Sequence, residues 1–423
     1  MTIVEYPGVV LTDSREAFQE KIETMVDSII ESLAIPIRTE AKVAEPDLTD
    51  IVCRGTLDEV QEFFIRNQWS DGLPVVPPTK DRVERFLKFA DQPPDEVLGV
   101  LPIENRNATV WNVAVNGVMA GCRPEYMPIL LAVVEAIADP EFRLEDAGST
   151  YGWEPLVIVS GPMVRQLDFN YGQGVMRVGR QANTSIGRFL RLYLRNVAGY
   201  RIPPSGTDKG TISFTFNVAL AENEEEVRRL GWKTLGEERG FDFGTNLVTV
   251  QGAAGISPPI YTAGDKAHDH LETMTEVIGQ GVCGYWAFTG MAFGRFSPLI
   301  VMSPSIASVF AGEGLTKGHV KRHLHEHTKI RASLAEKYAR QLGLTEFDLH
   351  DLAQRGVVPE EYAASTDPDR EVPVFIRPEW INIVVAGDPD RNQLRAYPNS
   401  HEGVPVSRKI REPKDWLRLA RNR

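Results

Sequence analysis

A mixed α/β fold follows from three features of the chain: short β-branched runs that each stop at a tight turn, helical periodicities interleaved between them, and an isolated amphipathic stripe near the N-terminus. The runs are Leu156-Val-Ile-Val159, Leu247-Val-Thr-Val250, Leu299-Ile-Val-Met302 and Ile381-Asn-Ile-Val-Val-Ala386. They lead into Ser-Gly-Pro, Gln-Gly-Ala-Ala-Gly, Ser-Pro-Ser and Gly-Asp-Pro. Unbroken apolar runs of this length read as strands buried on both faces. In open α/β sheets ligands gather where such strands end.

The elements follow in order. Residues 15–33 place Phe18, Ile22, Met25, Ile29 and Leu33 at three- and four-residue spacing, which predicts an amphipathic helix. Residues 34–50 mix Pro, Thr and charge and read as a linker, so the helix is expected to act as an arm. A helix over Leu57–Asn67 runs into Trp69-Ser-Asp-Gly-Leu-Pro-Val-Val-Pro-Pro-Thr79, whose prolines fix the backbone as a rigid loop. Helices are expected over Pro124–Ala138, Thr184–Val197, Lys266–Ile278 and Lys317–Leu342. Thr211–Leu220 alternates like a half-exposed antiparallel strand. The acidic cluster Glu222–Glu226 reads as a solvated turn or helix start. The expected architecture is therefore a mixed sheet with interleaved helices in two lobes, residues 51–255 and 256–423, behind an N-terminal helical arm and linker at 1–50.

Composition narrows the function. The 423 residues, 42% hydrophobic and 25% charged, suit a globular rather than a disordered chain. A net charge of −12 repels phosphates at long range, so no nucleic-acid partner is expected. Cys53, Cys122 and Cys283 stand far apart, which supports neither a disulfide framework nor a zinc ribbon and points to a reducing compartment. Met1–Pro7 lacks the pattern of a signal peptide, and the apolar run Pro298–Phe310 is broken at Ser303-Pro304. A cytoplasmic location with no membrane partner is the expectation.

Three clusters carry candidate chemistry. In Asn116-Gly-Val-Met-Ala-Gly-Cys122-Arg-Pro-Glu-Tyr-Met-Pro128, Pro124 suits the first helical position, which sets Cys122 at a helix N-terminus where backbone dipoles favour a thiolate. Glu125 in the first turn would oppose it, and a small buried cysteine is the plainer reading. In the glycine-rich stretch Asn170–Arg188, Asn183 or Thr184 can cap a helix while Arg177, Arg180 and Arg188 supply donors for a carboxylate or phosphate. Arg188, Arg191 and Arg195 share one helical side, so they read equally as a solvated face. Neither a Walker loop nor a dinucleotide fingerprint is present, and no cofactor is expected. Among the histidines, His319, His323 and His327 fall on one stripe and His268 and His270 lie two apart, but the HExxH frame is missing and no metal ligand is assigned. Asp71, Glu125 and Glu222 are the carboxylates available for proton transfer.

The chain resembles a largely uncharacterised bacterial family related to the UGSC-motif selenoproteins. The resemblance rests on Ser70–Thr79, on Asn116–Pro128, on Val159-Ser-Gly-Pro162 and on Arg180–Arg188 with Asn196-Val-Ala-Gly199. Ala221-Glu-Asn-Glu-Glu225 and Glu238-Arg-Gly-Phe241 complete it. The U/C-Gly-Ser-Cys motif itself is absent here, and Met302-Ser-Pro-Ser-Ile-Ala307 departs from the Ser-Pro-Glu-His-Ala of related segments. A reaction that used the missing residue would need it from a separate subunit.

Together these readings predict an enzyme acting on a small carboxylate-bearing metabolite by lyase- or hydrolase-type cleavage. Cys122 would be nucleophile or redox thiol and Asp71 or Glu125 would move protons. Arg180, Asn183, Thr184 and Arg188 would hold the carboxylate, with Asn116, Ser160, Gly161 and Ser303 around the site and Gly387 at its mouth. Two alternatives stand beside it: a non-catalytic or half-site subunit in complex with a small UGSC-type protein, and a metal hydrolase using His268, His270 and the 319–327 stripe. A homo-oligomer or hetero-complex is expected from the apolar stripe of the arm.

Overall fold

The four apolar runs all form strands of two four-stranded sheets in the computed structural model of the chain, the runs at 156, 247 and 299 centrally and the run at 381 at an edge. The structure describes residues 4–8, 13–34, 49–147, 152–203, 214–289, 295–341, 347–399 and 403–421. The chain divides into two units, Met1–Val52 and Cys53–Arg423. In the first, helix α1 (Arg15–Ala34) follows the predicted periodicity. None of its residues is buried, and Phe18, Val26, Ile29, Ile30 and Leu33 are exposed. Most of the expected linker, residues 35–48, lies outside the described residues.

The second unit opens with α2 (Leu57–Arg66), closed at its start by a reciprocal Thr56–Glu59 cap, and α3 (Lys80–Leu87). The hairpin β1 (Val97–Leu101) and β2 (Arg106–Thr109) leads into α4 (Val110–Met119), and a short 3-10 turn at Pro124–Tyr126 into α5 (Met127–Ile137). Then come β3 (Glu154–Ser160), α6 (Met163–Gln166), α7 (Gln181–Tyr193), β4 (Leu220–Ala221), α8 (Glu224–Arg229), α9 (Leu235–Glu238) and β5 (Leu247–Ala253). The rest is β6 (Ile260–Tyr261), α10 (Ala267–Thr273), α11 (Gly284–Trp286), β7 (Leu299–Met302), α12 (Pro304–Gly312), α13 (Lys317–His327), β8 (Lys329–Arg331), α14 (Ala332–Arg340), α15 (Leu349–Gln354), β9 (Glu371–Pro373), β10 (Asn382–Val385), β11 (Gln393–Tyr397), β12 (Val406–Lys409) and α16 (Trp416–Arg421).

The sheets run β12-β5-β3-β4 and β10-β7-β11-β6, with β3–β4 and β10–β7 parallel and the other pairs antiparallel. Alternation along each strand fixes what its two faces cover. Val157 and Val159 of β3 pack with α4, α5 and α7, whereas Leu156 and Ile158 join Leu299, Val301 and Val384 of the second sheet. Ile300, Met302, Ile383 and Val385 face the opposite way, towards α10, α12 and α13. The order of layers is thus helices, sheet, sheet, helices, which is why β3 and β7 are apolar on both faces through Leu156–Val159 and Leu299–Met302. β12, from the end of the chain, pairs with β5 and so completes the first sheet.

The departures from the predicted elements share one cause. Lys317–Leu342 is not one helix: it breaks at the buried Thr328, whose carbonyl accepts Val374 N at 3.0 Å, and β8 then pairs with β9. Of the strand expected over Thr211–Leu220, residues 211–213 lie outside the described residues and only Leu220 pairs in a sheet. Phe216 and Val218 do point inward, but Glu154 serves the segment instead of a ladder, accepting from Thr215 Oγ1 at 2.8 Å and Phe216 N at 3.4 Å. The partner in each case is far away in sequence, where periodicity cannot see it. Among the described residues no helix is long and apolar enough to cross a membrane.

Candidate functional site

The C-terminal ends of the two parallel strand pairs are tied together: Asn223 N, just past β4, donates to Val385 O of β10 at 2.9 Å. Glu222 therefore emerges between the sheets, and it is fully buried. Its carboxylate accepts from Leu235 N at 3.2 and 3.0 Å, from Lys317 Nζ at 3.1 Å and from Ser160 Oγ at 3.5 Å. Thr234 caps the turn that carries Glu238 and Arg239, and Thr316 caps α13, which sets Lys317 and Lys321 one turn apart on the same face. Lys317 Nζ stands 4.0 Å from Glu238 Oε2, and Lys321 Nζ donates to Glu238 Oε1 at 2.8 Å. A row of alternating charge, Glu222–Lys317–Glu238–Lys321, thus runs outward from the buried strand ends.

The row reaches a cavity of about 580 Å³ lined by Lys233, Arg239, Arg295, Lys321 and Arg322 on the basic side and by Glu237, Glu238 and Glu379 on the acidic side. The acids are already engaged: Glu237 in the Thr234 cap and with Arg228, Glu238 with Lys321, Glu379 with Arg377. Among the described residues neither Arg239 nor Arg295 makes a direct ion pair, while Glu238 acts on the first and Glu379 on the second at longer range. Arg239 donates to Pro405 O at 3.2 Å and Asn382 Oδ1 at 3.5 Å, while its buried Nε has no acceptor. Arg295 donates to Ser297 Oγ and lies 4.9 Å over the Trp380 ring. Burial and the neighbouring Arg295 draw the Arg239 guanidinium down to about 10. Burial lowers Arg295 too. For Lys321, burial lowers the amine, Glu238 opposes, and Lys317 and Arg239 add to the fall. Each of these shifts has the sign expected of desolvated cations; Glu238 opposes the fall at Arg239 and Lys321, Glu379 and Glu141 oppose it at Arg295, and burial outweighs them.

Glu224, at the start of α8, stands beside this row. Burial, then the charge on Glu222, push its carboxyl up to about 7, against the Gly161 N–H and Lys317. A folded pKa above the unfolded one means that Glu224 favours folding at low pH, an effect lost as pH climbs from the ordinary carboxylate range through about 7. Glu224→Gln is expected to flatten the decline of stability over that interval. Urea unfolding midpoints followed across it provide the check, and parallel pH profiles for both proteins would refute the burial of this carboxyl. Gly161 is required here because its φ is +100° and a Cβ would meet Thr245 O at 2.6 Å.

The residues singled out from sequence gather elsewhere, and none of them lines the cavity. Arg188 holds Asp71 through two bonds of 2.8 Å and also donates to Pro74 O, so it anchors the proline loop on α7 rather than a ligand. Burial raises the Asp71 carboxyl, but the Arg188 pair outweighs it and leaves the group below its usual range, an ionised anchor rather than an acid tuned to neutral pH. Cys122 lies nearby and corrects the thiolate expectation. It sits between the last turn of α4 and Pro124, its Sγ donates to Ser185 O at 3.3 Å, and burial pushes the thiol up to about 12. Arg123 next to it turns to Gln181 Oε1. We expect Cys122→Ala to leave anion binding unchanged, and the native thiol to react with a disulfide reagent orders of magnitude more slowly than in the unfolded chain. Rapid labelling of Cys122 in the native protein would contradict this.

The remaining positions also serve the scaffold. Arg180 pairs with the exposed Asp168, and Glu125 is buried with its carboxylate 3.9 Å from Arg123. Asn183 and Thr184 lie inside the first turn of α7 rather than at its cap. Asn183 bonds Asn170 N, Asn170 O and Ala219 O, and Thr184 Oγ1 accepts Gly179 N, so the glycine-rich loop closes on its own helix. Asn116 accepts from Asn196, and Ser303 precedes α12, its Oγ accepting Gln393 N. Of the candidates, only Glu222 belongs to the charged row, with Ser160 bonded to it and Gly161 bonded to the neighbouring Glu224. His270 is fully buried against Thr262 Oγ1 and Phe310, and His319 is used in the Thr316 cap. The His323 and His327 rings lie 4.3 Å apart, yet among the described residues no group of three His, Cys, Asp or Glu side chains is placed to hold a metal.

Glu222 was legible as a strand-end carboxylate, and Glu238 and Arg239 stand in one of the segments that carry the family resemblance. Lys317 and Lys321 gave only a four-residue spacing in a basic stretch, and Arg295 gave nothing. The chain matches no family model, no curated protein and no solved structure.

Proposed function

We propose that this chain binds a small carboxylate-bearing metabolite in the Arg239–Arg295–Lys321 cavity and turns it over by lyase- or hydrolase-type bond cleavage. The observation that carries the reading is the buried Arg239 Nε, which has no acceptor among the described residues, beside Arg295, which makes no direct ion pair among them. In a chain of net charge −12, a desolvated group of cations is held against both self-repulsion and burial, and a bound anion offsets both. The cavity volume suits a small metabolite. Guanidinium forks match carboxylates in two-point contact, and the Glu238–Lys321 pair supplies a proton donor and acceptor at the wall. The likeness to UGSC-related proteins is offered on the same terms, since Ala221–Glu225 and Glu238–Phe241 both reach this site. Calorimetric titration with succinate, citrate and α-ketoglutarate at low salt tests the reading. Saturable binding that weakens with salt supports it, and the absence of binding by all three overturns it.

A further inference from the structure

We propose that Lys321 is a covalent nucleophile, forming an imine with the carbonyl group of an α-keto or aldehyde acid held in the cavity. The inference rests on the anion-binding reading above and adds what the geometry of one lysine implies. Lys317 and Lys321 occupy the same face of α13, but their surroundings differ. Lys317 is enclosed, 3.1 Å from Glu222, and does not line the cavity, whereas Lys321 forms part of its wall. Lys233 also lines the wall, but it is exposed and has no acid partner among the described residues. Lys321 alone combines burial, access to the cavity and a carboxylate at 2.8 Å.

That carboxylate closes the proton balance. Glu238 Oε1 takes one proton from the Lys321 ammonium and leaves a neutral amine. The nitrogen lone pair attacks the carbonyl carbon, the carbonyl π pair moves to oxygen, and an N–H proton follows it to give the carbinolamine. Glu238 then returns its proton to the departing hydroxyl. Water leaves, the nitrogen lone pair forms the C=N bond, and the product is an iminium on Lys321 with Glu238 again ionised. One ammonium and one carbonyl thus become one iminium and one water, with no outside acid, base or oxidant. Glu238 is placed for the task because its Oε1 holds Lys321 while its Oε2 has no hydrogen-bond partner among the described residues. Repulsion from Lys317 and Arg239 favours the neutral amine. The iminium then draws electrons from the adjacent carbon, the feature that lyase-type cleavage of a keto acid requires.

The full-length protein is incubated with pyruvate or α-ketoglutarate, reduced with sodium cyanoborohydride and mapped by peptide mass. The expected result is an adduct concentrated on Lys321, absent from Lys321→Arg and suppressed by excess succinate. Glu238→Gln keeps the lysine and, by removing the group that raises its amine, leaves it more readily neutral, but it also removes the acid for dehydration, so adduct formation should slow on the order of a hundredfold with no recovery at alkaline pH. If α-ketoglutarate binds by calorimetry but no adduct forms on Lys321, or if all lysines label alike, the imine is refuted while the anion site stands. If neither succinate nor a keto acid binds, the anion-binding reading fails and the imine fails with it.

Discussion

Arg239→Ala is expected to weaken binding of a dicarboxylate by about 10- to 100-fold, because a charge-assisted contact to a desolvated guanidinium contributes roughly 1.5–3 kcal/mol. The folded protein should tolerate the change unusually well for a buried arginine. Arg239 has no ion-pair partner to strand, and removing it relieves the repulsion it exchanges with Arg295. Its two donor contacts, to Pro405 O and Asn382 Oδ1, are the loss on the other side. Calorimetry and thermal melting of the same preparations separate the effects. Weaker binding at a nearly unchanged melting temperature assigns Arg239 to the ligand. Unchanged binding would show that the bare Nε is not part of a site. Because Arg239 also depresses the Lys321 amine, the variant should move cyanoborohydride trapping to higher pH.

Lys317→Met should destabilise the fold by about 3–5 kcal/mol, since it leaves a buried carboxylate without its cation. Glu222 and Lys317 are almost wholly excluded from solvent and 3.1 Å apart. The loss is not confined to one pair: Lys317 also faces Glu238, whose remaining partner is Lys321. A double variant, Lys317→Met with Glu222→Leu, should regain much of the stability, as an apolar pair of similar volume often replaces a buried ion pair without penalty. Glu222→Gln alone should cost less than Lys317→Met, because the neutral amide still accepts from Leu235 N. Urea unfolding midpoints of the four proteins give the comparison. A Lys317→Met midpoint equal to wild type would place the pair in water and remove the link between the strand ends and the cavity.

The strands were legible because burial on both faces writes itself as an unbroken apolar run. Each of the runs at 156, 247, 299 and 381 became a strand whose start lies within two residues of the predicted one, and only β5 runs further, three residues past its predicted end. The reason for that double burial was not legible. Strands between two helical layers and strands between helices and a second sheet leave the same run, and only the split of Leu156 and Ile158 from Val157 and Val159 shows which face meets which layer. The candidate site was read poorly for a related reason. Cys122, Arg188 and Asn183 drew attention through striking local sequence, yet each is consumed by scaffold bonds across more than one element. The residues left over, Arg239, Arg295 and Lys321, come from three separated segments and look ordinary in each.

What the sequence determined alone was the set of local preferences: which stretches form strands, where helices begin, and an acidic balance that disfavours polyanions. Those are properties of neighbours along the chain, set by side-chain period, capping groups and proline. Tertiary structure decided which charges stay unpaired. Neutralisation of a buried cation depends on what lies within a few ångströms in space, and for Arg239 and Arg295 the fold brings two cations to one cavity with no direct ion pair for either among the described residues.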